Sequence, residues 1–581
     1  MKPATLRFFR ILKSLGLWRT YRSWRSIALV ILLCSVSSAQ AYDVLYEGGF
    51  EAVTDAPASD AEAARFLTMA TFGPTPQSIA RLRAIGYRQW LLEQLSMPAT
   101  LQRPYVENLD AGVSTPGQQH RLQAWFATAV TAPDQLRQRA AWALAQIMVV
   151  SDGLSHLGND PIAIAEYADV LARDSFGWYD DTGALRAGTY ANLLYDVTKS
   201  PAMAKMLTYL RNKKGNDALG TSPDENYARE VMQLFSIGLV ERNLDFSPVL
   251  DVHGDPVPTY DQSMVASYAK VFTGWSYTSG FNSNPVGGNW APADYQPLIC
   301  YETFHDESEK TLLDNGVAPG GPNSCEPDLD AGLAAIANHA NVAPFISRQL
   351  IERFTTSNPS PAYIERVATV FANDGAGVRG DLGAVISAIL TDPEARYGAA
   401  PPPAPYVFGK AREPLLKLTA LWRYYGAAAA DGVYSFSNPQ KNYAQRPFGA
   451  PSVFNFYLPD YLPPGELADA GLYGPEFQIL NESTVVSAAN DLTFRANAYV
   501  GNPNNDDTTI AIDLSALVAL ASTPDALVAA LDHDLMYGAM SEEMSSTLTT
   551  MIDALPAAEP EGRVVGALQV LLASPEFAIT Q

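Results

Sequence analysis

Apolar residues recur at helical spacing through most of the chain. The stretch "SDAEAARFLTMATFG" opens on Ser59 and Asp60, both capping-type residues, and stops at Gly73. "TPQSIARLRAIGYRQWLLEQLSMP" keeps the same period until Pro98. In "TAPDQLRQRAAWALAQIMVVS", Leu136, Ala140, Leu144 and Ile147 share one face, the stripe of a helix packed along one side. Extended patterns are short: Val249–Val252 and Val257–Tyr260 flank "HGDP", which predicts a small hairpin. Asp261 then stands as a cap before Val265, Tyr268, Ala269 and Phe272. The predicted fold is mainly α, a large multi-helix globular body with small β-hairpins.

Two long segments break the helical rhythm. Residues 273–325 are rich in Gly and Pro and hold Trp275, Tyr277, Phe281, Trp290, Tyr295, Tyr301 and Phe304. Residues 443–465, "YAQRPFGAPSVFNFYLPDYLPPG", form a second aromatic loop. Long loops inside folded bodies are usually functional or tied down. The run "APPPAP" at 400–405 reads as a linker, dividing a main helical region at 59–399 from a C-terminal helical region at 406–581 that packs on it.

The N-terminus changes the picture. Seven cations and no acids precede a short apolar run, "SIALVILLCSV", and an Ala-x-Ala site at Ala39 and Ala41. This is the pattern of a secretory signal over 1–41, followed by a mature tail at 42–58. The run is too short to cross a bilayer, which needs roughly 20 residues; an uncleaved anchor is the competing reading. The expected location is periplasmic or extracellular, with no transmembrane anchor in the mature chain. The whole chain of 581 residues carries 39 − 62 = −23, and loss of the leader leaves 32 − 62 = −30. Such an acidic surface repels nucleic acid, so no nucleic-acid partner is expected. With Cys34 in the leader, Cys300 and Cys325 remain as an even pair in an exported chain, and a disulfide is expected. It would close a Gly-, Pro- and Asn-rich loop and stabilise by about 3 kcal/mol in the chain-entropy picture.

Polar chemistry concentrates in two places. In "TSPDENYAREVMQLFSIGL", Ser222, Pro223 and Glu225 fit a capping box with Pro at the first helical position. Tyr227, Val231, Leu234 and Phe235 make an apolar arc, with Glu225 and Arg229 opposite as an i,i+4 pair. Asn226, Glu230 and Gln233 edge that arc, and Glu230 at the margin of buried surface needs a hydrogen-bond partner or a cation. A helix edge satisfied by a neighbour competes with a polar pocket on Asn226 and Glu230. In "YETFHDESEK", His305 and Asp306 are placed for acid–base work, with Lys310 as an anion holder, or His305 is a loop hydrogen-bonder. Asp251, His253 and Asp255 fit a turn better than a metal site. No nucleotide, hydrolase-elbow or zinc motif occurs, so no cofactor and no metal is expected.

Beyond these, an ordered series of phrases resembles a bacterial family, domain of unknown function 1800. They include "LRQRAAWALAQIMVVSD", "PDENYAREVMQLFSIGL", "YAKVFTGWSY", "FHDESEK", "VAPFISRQLIERFTTSNPSPAYIERVATVF", "GKAREPLLKL" and "APSVFNFYLPDY". The resemblance runs from about residue 60 to the C-terminus. It implies an exported, predominantly helical protein and no established activity. By family association it also implies a co-exported sulfatase- or phosphatase-like neighbour. Three functions are then in play. The leading one is a binding or assembly partner of other envelope proteins. The second is a hydrolase-like enzyme joining Glu230, Asn226 and Arg229 to His305, Asp306 and Lys310. The third is glycan binding by Trp275, Trp290, Tyr301 and Tyr457.

Overall fold

The computed structural model describes residues 56–108, 116–154, 157–180, 182–282, 295–398, 408–436 and 438–580. The leader at 1–41, most of the tail at 42–58, the 400–405 linker and Trp290 lie outside these residues. The protein is mainly α-helical, and the sheets among the described residues are two-stranded antiparallel pairs.

Helix α1, Asp60–Ala70, starts where its capping residues predict: the Ser59 hydroxyl accepts from the Glu62 N–H at 3.1 Å. Helix α2, Pro76–Ser96, is held by a reciprocal Thr75–Ser78 cap and kinks at Gly86, whose φ of 79° is left-handed. Helix α3, Gln135–Ala145, departs from the one-sided stripe: all of its residues are buried. Its Arg137 is satisfied by carbonyls instead of water, while Arg139 keeps two buried nitrogens without acceptors. Arg137 donates to Met97 O at 3.0 Å, Ala172 O at 2.9 Å and Gly177 O at 3.1 Å, groups that helix ends leave without partners.

Helices α4 (Asn226–Gln233), α5 (Gln262–Val271), α6 (Cys325–Asn338), α7 (Val342–Phe354) and α8 (Pro414–Tyr424) follow. Asp261 caps α5, accepting from the Met264 N–H at 2.9 Å. The predicted turn at "HGDP" forms, with Leu250 bridging Pro256 and Asp251 accepting from the N–H groups of His253 and Asp255. In the first long loop, Trp275–Ser276 pairs with Ile299–Cys300, and Lys310–Thr311 pairs with Val317–Ala318. The Cys300–Cys325 disulfide forms, with Cα atoms 6.3 Å apart, and ties this loop to the start of α6.

One large apolar core draws residues from Ala63 to Phe577. Helix α8 is part of it: Trp422 meets Phe126 at 5.7 Å, and Arg423 donates to Gly73 O and Val130 O, both at 2.6 Å. Lys410–Ala411 pairs with Ile579–Thr580, so the chain's end is stitched to its middle. No helix among the described residues is long and apolar enough to cross a membrane.

Lys417 on α8 tests the cost of charge in this core. It is buried, and burial, then Arg412, push its ammonium down to about 8. The unfolded chain therefore holds more protons between pH 8 and about 10.4, so stability rises with pH across that window. Lys417→Met is expected to stabilise the protein at pH 7 by up to about 3 kcal/mol. It should also flatten the pH 8–10 rise, read from urea midpoints at each pH.

Candidate functional site

The helix that carries Glu230 starts later than its sequence predicts. Asn212 grips the chain first: its side chain accepts from the Asp224 N–H at 2.8 Å and donates to Asp224 O at 3.2 Å. Glu225 stands at the N-cap without a side-chain cap, and Asp224 before it accepts from the Asn226 N–H at 2.8 Å. The capping box is thus not formed, and Glu225 is released to pair with Arg229 at 3.3 Å and accept from Gln262 at 2.8 Å. Asn226 is exposed and reaches Thr208 at 3.3 Å. Glu230 is half-buried beside Tyr260 with one carboxylate oxygen unpartnered, and burial, opposed by Arg229, raises its carboxyl.

His305 and Lys310 meet a residue that the sequence reading missed, Asp328. His305 Nε2 lies 3.0 Å and Lys310 Nζ 2.5 Å from Asp328 Oδ2, all three side chains being fully buried. His305 Nδ1 faces Thr273 O at 2.9 Å. Asp306 turns the other way, accepting from the Ser308 N–H at 2.9 Å, so the adjacent His305–Asp306 pair is no dyad. Neighbouring residues on an extended segment point apart. Cys300, His305 and Cys325 donor atoms lie within 4.8 Å of one another, but the sulfurs are bonded and both ring nitrogens have acceptors.

The Glu230 and His305 clusters contact opposite ends of α5. Arg229 contacts Gln262 at the first residue of α5, whereas His305 contacts Thr273 just past its end. Of the proposed sugar-stacking rings, Trp275 is buried with Lys199 5.0 Å from its ring centre, and Tyr457 is buried with its hydroxyl on Gln146 at 2.9 Å. Tyr301 spends its hydroxyl on Tyr277 O at 2.7 Å. Rings that fill the core are unavailable to a ligand.

Another buried polar constellation lies where several phrases carrying the family resemblance converge. Glu413, just before α8, is fully buried. Its Oε2 accepts from Trp142 at 2.9 Å, Gln146 at 3.0 Å and Gln445 at 2.7 Å. Arg139 lies 4.0 Å from its other oxygen and donates to Arg353 O at 2.6 Å. Lys410 joins Glu476 at 2.9 Å and Glu352 O at 2.7 Å.

Above this floor a cavity of about 230 Å³ opens to the surface, lined by Gln146, Arg242, Arg348, Glu352, Arg353 and Phe454 among others. Arg242 and Arg348 both lie over the Phe246 ring, at 4.5 and 4.4 Å, so two cations share one wall. Burial, then Arg348, lower the Arg242 guanidinium. Arg348 pairs with Glu352 at 2.7 Å, leaving the other Glu352 oxygen buried and unpartnered. Arg353 is 2% exposed, packs over Tyr457, and its Nε makes no hydrogen bond. Phe454 and Leu458, 48% and 39% exposed, form an apolar rim.

These residues escaped the sequence reading because their partners lie far away along the chain. The available signal was three polar residues in a row, Arg137–Gln138–Arg139, within a segment too apolar around them to lie on a surface. In a larger hollow of about 690 Å³, Arg396 pairs with Glu62, Arg65 donates to the carbonyls of Ala395 and Arg396, and Arg412 donates to the Thr580 hydroxyl at 3.1 Å.

Residues 65–579 match the family described as "Protein of unknown function (DUF1800)". No curated protein and no solved structure matches the chain.

Proposed function

We propose that this chain, which belongs to the DUF1800 family, works by binding, as an exported partner that helps assemble other envelope proteins. The observation that carries this reading is the arginine-lined cleft, which sets unused charged groups and an apolar rim over a rigid floor. A wired floor holds the walls in place before a ligand arrives, which lowers the entropy lost on binding. Strong positive walls also stand out in a chain of net charge −23. The disulfide supports an oxidising compartment. The sulfatase- or phosphatase-like neighbour implied by the resemblance is the first candidate partner.

Native co-purification from the producing host is the test. A partner is expected to elute with the wild-type protein and to be depleted at least tenfold with Arg348→Glu, which reverses a cleft charge. A chain that elutes alone under gentle conditions sinks the reading.

A further inference from the structure

We propose that the cleft captures a single carboxylate of a partner polypeptide, with an apolar side chain beside it; this rests on the binding reading above. Charge sets the ligand's sign and size. Three cations, Arg242, Arg348 and Arg353, face two acids, Glu352 and Asp460, leaving an excess of 3 − 2 = +1. One negative charge balances that excess. A dianion would overshoot and press against the unpartnered Glu352 oxygen.

Geometry adds the neighbouring groups. Arg353 is more than nine-tenths buried and lines the cleft with a guanidinium that has an open donor. Such a group is costly to leave unmet, and a carboxylate meets it with charge-assisted bonds. Phe345, Phe454 and Leu458 offer the apolar wall. The volume, about 230 Å³, holds one residue and its carboxylate, not a large cofactor. A C-terminal residue and an internal Asp or Glu flanked by apolar residues both present this chemistry.

The experiment uses the full-length mature protein and N-acetylated, fluorescently labelled peptides ending in Leu or Phe. One set has a free acid, one a C-terminal amide, and a third is amidated with an internal Glu between Leu and Phe. Inorganic phosphate is titrated separately. Fluorescence anisotropy is expected to show binding of the free-acid or internal-Glu set, with the plain amide at least tenfold weaker. Whichever carboxylate set binds more tightly identifies the source. Arg353→Met should weaken that binding at least tenfold. Arg242→Gln, on a surface hairpin, should weaken it several-fold and serves if the buried variant does not fold. Equal binding of acid and plain amide, no peptide binding, phosphate binding alone, or unchanged affinity in both variants overturns the assignment. If co-purification still yields a partner in that case, the carboxylate assignment fails and the binding reading stands.

Discussion

Glu413→Ala is expected to destabilise the folded protein by about 3–5 kcal/mol, read as a shift in urea midpoint at constant slope. Glu413 is where α3, α8 and the second aromatic loop agree on one arrangement. Its Oε2 takes three donors, from Trp142, Gln146 and Gln445, and its charge faces Arg139. Removing the carboxylate orphans donors that lie in the core, at about 1–3 kcal/mol for each one left unmet. It also leaves the Arg139 guanidinium, fully buried, without its counter-charge. Glu413→Gln keeps an acceptor oxygen and should recover part of the loss, with the charge term remaining. Because Gln146 belongs to both the network and the cleft wall, Glu413→Ala should also weaken peptide binding where the variant still folds. A loss below about 1 kcal/mol would show that the network does not organise the core.

The helices were legible because their caps and periods are local properties. Ser59 and Asp261 act as their positions predict. The α4 start was not, because Asn212, twelve residues upstream of Asp224, decides it from outside the helix. The site failed for a related reason. Glu230 and His305 stand out as polar residues in suggestive company, but company in sequence is not contact. The acid next to His305 in sequence, Asp306, points away, while Asp328, eighteen residues beyond Lys310, bonds both His305 and Lys310. Arg139 is joined to both Arg353 and Glu413 across more than two hundred residues, and no local pattern encodes those pairings. What sequence does offer is a contradiction: charged residues set within segments whose apolar neighbours demand burial on every side. Such a charge must be paired or bound to carbonyls, and asking where its partner lies would have directed attention to α3.

Asp328→Asn should have the second large effect, a loss of about 3–5 kcal/mol. The carboxylate is the shared anion for Lys310 and His305, and all three side chains are cut off from water. Asparagine preserves shape and one acceptor oxygen but removes the charge, leaving the buried Lys310 ammonium among neutral acceptors such as Asp306 O and Ser308 O. The same carboxylate gives an acid limb. Burial acts to raise its pKa, but hydrogen bonds from Lys310 and His305 outweigh that, and the net shift is downward. A folded-state pKa below the unfolded one adds stability that is present above about pH 4 and is lost as pH falls through the folded value. Wild type should therefore lose stability below pH 4 more steeply than Asp328→Asn, whose curve lacks this contribution. Urea midpoints between pH 2 and 6 read both slopes. Parallel curves, or a variant as stable as wild type at pH 7, would mean that the loop is held by the Cys300–Cys325 bond and packing alone. In that case His305 and Lys310 would need another account of why they are buried.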